Sequence, residues 1–487
     1  VLLVAWLSAC QGPTALPIID SGSAVLDASQ DEERPDGGAD AGVCAPTFAW
    51  ARGGTLGGTL QQAIRGVDVG PDGAIAICGN LSGTSSVAGQ MLTSAGGEDL
   101  FVMVLEPDAT VRWARTFGAA GTDVAIDCDI APSGAVVVTG LFQRRVSFGA
   151  GVVAVAAGAA DVFTLLLTPG GTPSWVRTAG GTANDYGNEV AVDPTGNVVV
   201  ALMYESADFV FAGQPSPPVD HRGGNDTLVV SYAPDGTLRW WRSVAGDADD
   251  LGRGVATDDV GNVIFVGETK STILEVQGAP VGTAAGGADL FVTSWTPGGA
   301  LRLAARRGGS GDDSARAAGG GPGGAVFVGG KFTGTVDFGG LTRSSAAGSP
   351  DLFIARLNST GAVDWVNTIG STGTEEGVEL SVSKQGEVVV SGDFSGDVRL
   401  EGRSSALSLS AGAAQAQEFI AAWALDGELR WALAGGGPGR EVNYDVGVGP
   451  KGEVVIVGTS HGGATFGAHT LSAQDRVYIA AVAPCRP

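Results

Sequence analysis

The chain is predicted to be all-β: a seven-bladed β-propeller of four-stranded antiparallel blades, with the ring closed by the N-terminal strand. Three observations predict this. Short apolar runs alternate with turn-forming clusters, and none is long enough, or spaced at 3.6 residues, for a helix. A tryptophan recurs at Trp50, Trp113, Trp175, Trp240, Trp365 and Trp431, with Leu303 in the fifth place, at spacings of 63, 62, 65, 63, 62 and 66 residues. Two other apolar runs recur seven times each at the same period. A long fixed period built from strands marks a repeat architecture, and four strands per unit in a closed ring is a propeller.

Residues 226–267 hold one whole unit. Its runs are LVVSY (228–232), LRWWR (238–242), GVAT (254–257) and VIFV (263–266). Each is bounded by Gly, Asp, Asn or Pro, as in Pro234-Asp235-Gly236, the residues that tight turns require. The first run recurs as FVMVL at 101, FTLLL at 163, FVTSW at 291, FIARL at 353, FIAAW at 419 and VYIAA at 477. The last recurs from AIAIC at 74 to VVIVG at 454. The 80 glycines therefore mark turns and close blade packing, not disorder.

Residues 98–118 (EDLFVMVLEPDATVRWARTFG) and 187–201 (GNEVAVDPTGNVVVA) carry a family resemblance. The chain resembles the bacterial seven-bladed β-propeller repeat (SBBP repeat) lipoproteins, from Cys44 to Cys485. The resemblance implies the fold; propellers of this kind host many tasks, so it implies little about function.

Three domains follow: 1–10, 11–43 and 44–487. Residues 1–9 are an apolar run, VLLVAWLSA, too short to span a bilayer. Leu7-Ser8-Ala9-Cys10 resembles a bacterial lipobox, making Cys10 the expected lipidation site. No Met or basic segment precedes it, so the precursor is expected to start upstream. Gln11, not Asp, follows the cysteine; by resemblance to bacterial sorting rules this favours the outer membrane, facing the periplasm or the cell exterior. Residues 11–42 carry seven acids against Arg34 and no apolar period, the composition of a solvated acidic tether.

Trp50 belongs to an outer strand with no earlier strands of its own, while the last unit stops after three. The N-terminal strand is therefore expected to complete blade seven, removing an open edge. In the repeat register Cys44 and Cys485 fall in one turn of that blade, which predicts a Cys44–Cys485 disulfide, of the kind an exported protein forms. Cys78 and Cys128 remain, either bridging the first two blades or staying as buried thiols.

The formal net charge is −24, of which the tether supplies −6. The −18 left on the ring argues against nucleic acid and against direct adhesion to anionic lipid, so membrane contact is expected through the anchor alone. An acid recurs at Asp123, Asp185, Asp250, Asp313 and Glu376, with Gln62 in the first blade. These residues fall in the loops between outer and next inner strands, which should ring one mouth of the central channel. They are candidates for a ring binding Ca²⁺ or a cationic ligand, or for caps on their own turns. Asp99, Asp161, Asp226, Asp289 and Asp351 read as strand-entry residues. Trp241 follows Trp240 and points to the other face, where it could serve as a binding platform.

The three histidines, His221, His461 and His469, have no metal-ligand or Ser-His-Asp context. Asp235, Gly236 and Trp240 are superficially similar to a sialidase Asp-box, but Ala233 stands where that box needs Ser. The expectation is a monomeric, lipid-anchored envelope module binding an unknown protein or glycan, without a resident cofactor and without catalysis. The alternative is a carbohydrate-active hydrolase or lyase with its site at the central channel.

Overall fold

The computed structural model describes residues 46–57, 63–149, 151–214, 216, 219–346, 349–371, 373, 375–412 and 416–483. It is a seven-bladed propeller. The inner strands (A) are Ala63–Val69, Val124–Ile130, Asp185–Val192, Asp250–Thr257, Ser314–Gly321, Glu375–Val382 and Glu441–Val448. Each pairs antiparallel with strand B, then C, then D, moving outward. Strands B and C are buried on both faces, as in VIFVGET and DLFVTSW. That explains their uniformly apolar, β-branched composition.

Closure occurs as the register predicts. Phe48–Thr55 is the D strand of blade seven and pairs with Val477–Val482, Trp50 opposite Ala481. The Ala483 amide donates to the Thr47 carbonyl at 2.9 Å. Cys44 and Cys485 lie beyond this pair, outside the described residues, as do Cys10 and the tether.

The recurring tryptophans join neighbouring blades. Trp240, on the D strand of blade three, donates its indole N–H to the Pro297 carbonyl of blade four at 3.0 Å. Trp113, Trp175 and Trp365 bond the next blade's C–D turn in the same way. Each ring lies on a glycine with positive φ. A Cβ on Gly236 would stand 2.9 Å from Trp175, and one on Gly299 2.8 Å from Trp240. Glycine supplies the left-handed backbone and the flat seat without strain; in blade one Ala109 holds the same turn position at φ 67°, where Trp50 bonds the Pro107 carbonyl at 3.2 Å. Leu303 fills the fifth place against Gly361. Trp431 packs in one cluster with Phe48 and Val482 of blade seven and bonds Glu387 at 3.1 Å.

The B–C connections carry short hairpins that the sequence reading did not find. Each meets the D strand of the preceding blade. Thr84–Val87 pairs with the closing strand, Leu274–Val276 with blade three, and Asp397–Glu401 with blade five. Val210–Phe211 joins blade two, and single bridges such as Gly118 to Ser147 serve blades one, four and six. All seven outer edges are thus paired at least in part, which protects them from edge-to-edge association.

Trp240→Ala should lower unfolding stability by about 3–5 kcal/mol in denaturant titrations. Trp240→Leu, which copies blade four, should cost clearly less. Non-reducing peptide mapping should recover Cys44 linked to Cys485; two free thiols there would contradict covalent closure.

Candidate functional site

The inner strands surround a central channel holding a cavity of about 520 Å³. Every A strand carries a bulge at one level, opposite strand B. A bulge re-aims one side chain. Here the extra residue is Arg65, Ile126, Asn188, Arg253, Arg316 or Tyr444, and in blade six Gly377 and Val378 together face Gly392, again one residue extra. The following residue is Gly66, Asp127, Glu189, Gly254, Ala317, Glu379 or Asp445. An arginine at the bulge goes with Gly or Ala next, and any other residue goes with an acid. Where the next residue is Gly254, the adjacent strand lies so close that a Cβ would stand 2.7 Å from the Arg316 carbonyl.

The acids serve the edge amides of the next inner strand. Asp445 accepts from Val67 N at 2.6 Å, Asp68 from Ile130 N at 3.0 Å, Asp127 from Val190 N at 2.8 Å and Asp129 from Val192 N at 2.6 Å. These bonds run 7→1, 1→2 and 2→3 around the ring. These side chains line the cavity and are half-buried. Burial, with Asp127 and Asp129 also facing Asp445 and Asp68 respectively, pushes both carboxyls well above the usual carboxylate range. Glu189 and Glu379 are raised likewise, and burial takes Asp445 to about 7. The sequence reading missed this set because only four of seven blades carry the acid and the bulge breaks the alternation.

The five acids singled out from sequence do not converge. Asp123, Asp185, Asp250 and Asp313 are fully buried at the start of strand A. Asp123 takes the Ala119 amide at 2.9 Å, Asp185 that of Gly181 at 2.9 Å, and Asp313 that of Gly309 at 2.6 Å. Their other oxygens hold the end of strand B, as with Gln143 and Thr333, and the Ser271 hydroxyl donates to Asp250 at 3.0 Å. They cap turns. Burial raises Asp123 to about 6 and Asp250 to about 7. Glu376 is a correction: the pairing places Glu375 opposite Phe394, the equivalent of Asp185 opposite Tyr204. Glu375 stands ten residues after Trp365, as Asp185 does after Trp175, so of two adjacent glutamates the second is one place out of register. Glu441 supplies the seventh member, and Gln62 lies outside the described residues. Among the described residues no three His, Cys, Asp or Glu side chains are placed to hold a metal ion.

A second correction concerns Cys78 and Cys128. They meet across the first two blades as buried free thiols, in hydrogen-bonding contact. Burial raises both, favouring the protonated form, which does not exchange.

Above the bulge, the upper mouth breaks the repeat. One column of facing A and B residues reads Ala63–Asn80, Val124–Leu141, Tyr186–Met203, Leu251–Glu268, Ser314–Lys331, Glu376–Asp393 and Val442–Thr459. In blades two and three it is apolar; Val124, Leu141 and Tyr186 form a small cluster with Ile126 and Met203 against it. Blades four to six are charged. Arg253 holds Glu268 at 2.8 Å and Arg440 holds Glu376 at 3.1 Å. Arg65 lies over the Tyr444 ring at 5.5 Å. Trp241 lines a separate groove of about 590 Å³ on the outer wall with Arg239 and Arg242. There it packs on Phe211, and both arginines are tied to blade four carbonyls.

No family model matches the chain. It is 24% identical over 129 residues to an uncharacterized WD repeat-containing protein of Acanthamoeba polyphaga mimivirus, a stretch covering 22% of this chain and 9% of that protein. Among solved structures it is similar to a protein of unknown function from Dyadobacter fermentans (TM-score 0.42, 11% identity, 91% of this chain and 100% of that one). It is also similar to the polysaccharide lyase Uly1 (TM-score 0.41, 8% identity, 90% and 92%).

The raised carboxyls give a pH prediction. Asp123, Asp250, Glu441 and Asp445 titrate at about 6, 7, 7 and 7 in the folded chain, against about 4 when unfolded. Between those values the folded state binds more protons, so stability falls as pH rises. Calorimetry should give a higher melting temperature near about pH 5 than near about pH 7.5, and Asp445→Asn should flatten the slope. A melting temperature rising across that window would contradict the assignment.

Proposed function

We propose that this chain is a binding and scaffolding module that takes its partner at the upper mouth of the propeller, without catalysing a reaction on it. One observation carries the reading. Frame positions repeat from blade to blade, while the mouth column runs from Leu141 and Met203 to Glu268, Lys331 and Asp393. The fold accommodates apolar, acidic and basic side chains at that one position. An irregular pattern on a regular frame is what recognition by a rigid scaffold requires.

The module is proposed to sit at the bacterial outer membrane, held by a lipid on Cys10 and set off from the surface by residues 11–43. Support comes from the Leu7–Cys10 motif and from the tether composition. The proposed partner is an envelope protein or glycan.

The test is affinity capture from envelope extracts with wild-type protein, a Met203→Glu/Lys331→Met double variant, and Lys451→Glu on the lower face. Both mouth substitutions exchange residue types that other blades already hold in that column. Capture lost by the double variant and kept by Lys451→Glu supports the reading; capture kept by all three contradicts it. Cys10→Ser should move the protein from the membrane to the soluble fraction, and unchanged fractionation would remove the anchor.

A further inference from the structure

We propose that the groove on the outer wall of blade three is a glycan site. The flat indole of Trp241 takes the C–H face of a neutral pyranose ring, while Ser243, Gln277 and the indole N–H meet its hydroxyls. This site is separate from the upper mouth and does not depend on it.

The first argument is the frame. The residue after each recurring tryptophan, or after Leu303, is small and aliphatic in six blades: Ala51, Ala114, Val176, Ala304, Val366 and Ala432. Blade three has Trp241 there. A small side chain is enough to fill the core beside the B–C hairpin. Phe148 of that hairpin shares a cluster with Val176, Phe338 with Val366, and Phe466 with Ala51. Phe211 is the corresponding residue of blade three and meets Trp241 instead, ring centroids 6.4 Å apart. Phe211 is buried and set edge-on to Phe209 at 5.5 Å, so the indole rests on a fixed support. The indole is larger than this core takes. Trp241 stays half-buried and lines the groove of about 590 Å³, within the roughly 300–1,000 Å³ of small-molecule sites.

The second argument is hydrogen bonding. Eight of the nine described tryptophans give their indole N–H to a protein acceptor. Trp241 has no such acceptor among the described residues. The side chains of Ser243 and Gln277, which line the groove with it, likewise have no hydrogen-bond partner among the described residues. Gln277 stands at the tip of the blade four hairpin with φ 52°. Ala88 holds the same place in the blade one hairpin at φ 47°, so the turn does not need the amide. Arg239 and Arg242 are taken up by Ser231 and by the Pro297 and Gly299 carbonyls, which leaves hydroxyl and amide groups to meet a ligand.

The third argument is access and the kind of occupant. The hairpin Leu274–Pro280 pairs the outer strand of blade three at Val244–Gly246, and no described strand covers the edge at 238–243. Added peptide strands bind such edges through backbone groups. Here Arg242 donates to the Trp241 carbonyl at 2.6 Å, which blocks that mode and favours a ligand bound through side chains. A pyranose has a face of C–H groups and a rim of hydroxyls. A flat aromatic wall beside unengaged hydroxyl, amide and indole N–H groups meets both.

The experiment probes an array of neutral hexose and N-acetylhexosamine oligosaccharides with the full chain, then titrates the best-bound oligosaccharide by calorimetry. Wild-type protein should bind at least one of them. Trp241→Val, copied from blades two and five, should weaken binding about tenfold or more with the melting temperature kept. Gln277→Gly, which eases the left-handed turn, should weaken it about threefold or more. The Met203→Glu/Lys331→Met mouth variant should bind as wild type does. Binding to none of the oligosaccharides, unchanged affinity in Trp241→Val, or binding lost in the mouth variant overturns the proposal. Because the mouth is tested by capture of its own partner, either site can fail while the other stands.

Discussion

The contact on which the ring depends is a tryptophan of one blade lying on a glycine of the next. It needs a large flat side chain near the start of strand D and a left-handed residue in the following C–D turn, glycine in every described turn but that of Ala109. The indole N–H then reaches the carbonyl two residues earlier. Burying such a ring supplies much of the blade-to-blade attachment. The joint sits toward the rim and on the lower turns, away from the upper mouth. Blade four shows its tolerance: Leu303 does the packing without the hydrogen bond.

The channel meets a different constraint. Seven inner strands turn their unpaired edges toward one narrow space, and buried amides must find acceptors. From blade seven through blade three the acceptors are carboxylates of the preceding blade, so the channel wall there is acidic and held partly protonated by burial. Around blades four and five the same positions are Gly254 and Ala317, the strands approach closely, and arginines from the bulge occupy the space. The choice of acid or arginine-plus-small is made blade by blade: Arg65 with Gly66 in blade one puts a base among the acids, and Arg253 and Arg316 stand together in blades four and five.

The fold was legible because its determinants are periodic. The tryptophans, the Pro-Asp-Gly turns and the apolar runs recur often enough to set the blade number and to assign Phe48–Thr55 to the far end of the chain. The candidate site was less legible for the same reason. Asp123 and its relatives stand out because they repeat, and residues that repeat in every blade are those the frame consumes: each accepts the amide four residues back. The residues lining the channel repeat in only some blades. The bulge shifts their spacing by one residue. Glu376 stands in for Glu375 in the sequence reading because two adjacent acids compete for one position. The outer hairpins escaped because their strands are two to five residues long, too short to show alternation.

The central claim is that recognition occurs at the upper mouth. Hydrogen exchange of the chain bound to its captured partner, compared with the free chain, tests it most directly. Slowed exchange is expected at the amides around Leu251–Arg253, Ser314–Arg316 and Glu376, with the lower turns near Asp72, Asp235 and Lys451 unchanged. Protection confined to those lower turns, or to the outer groove around Trp241, would contradict the account.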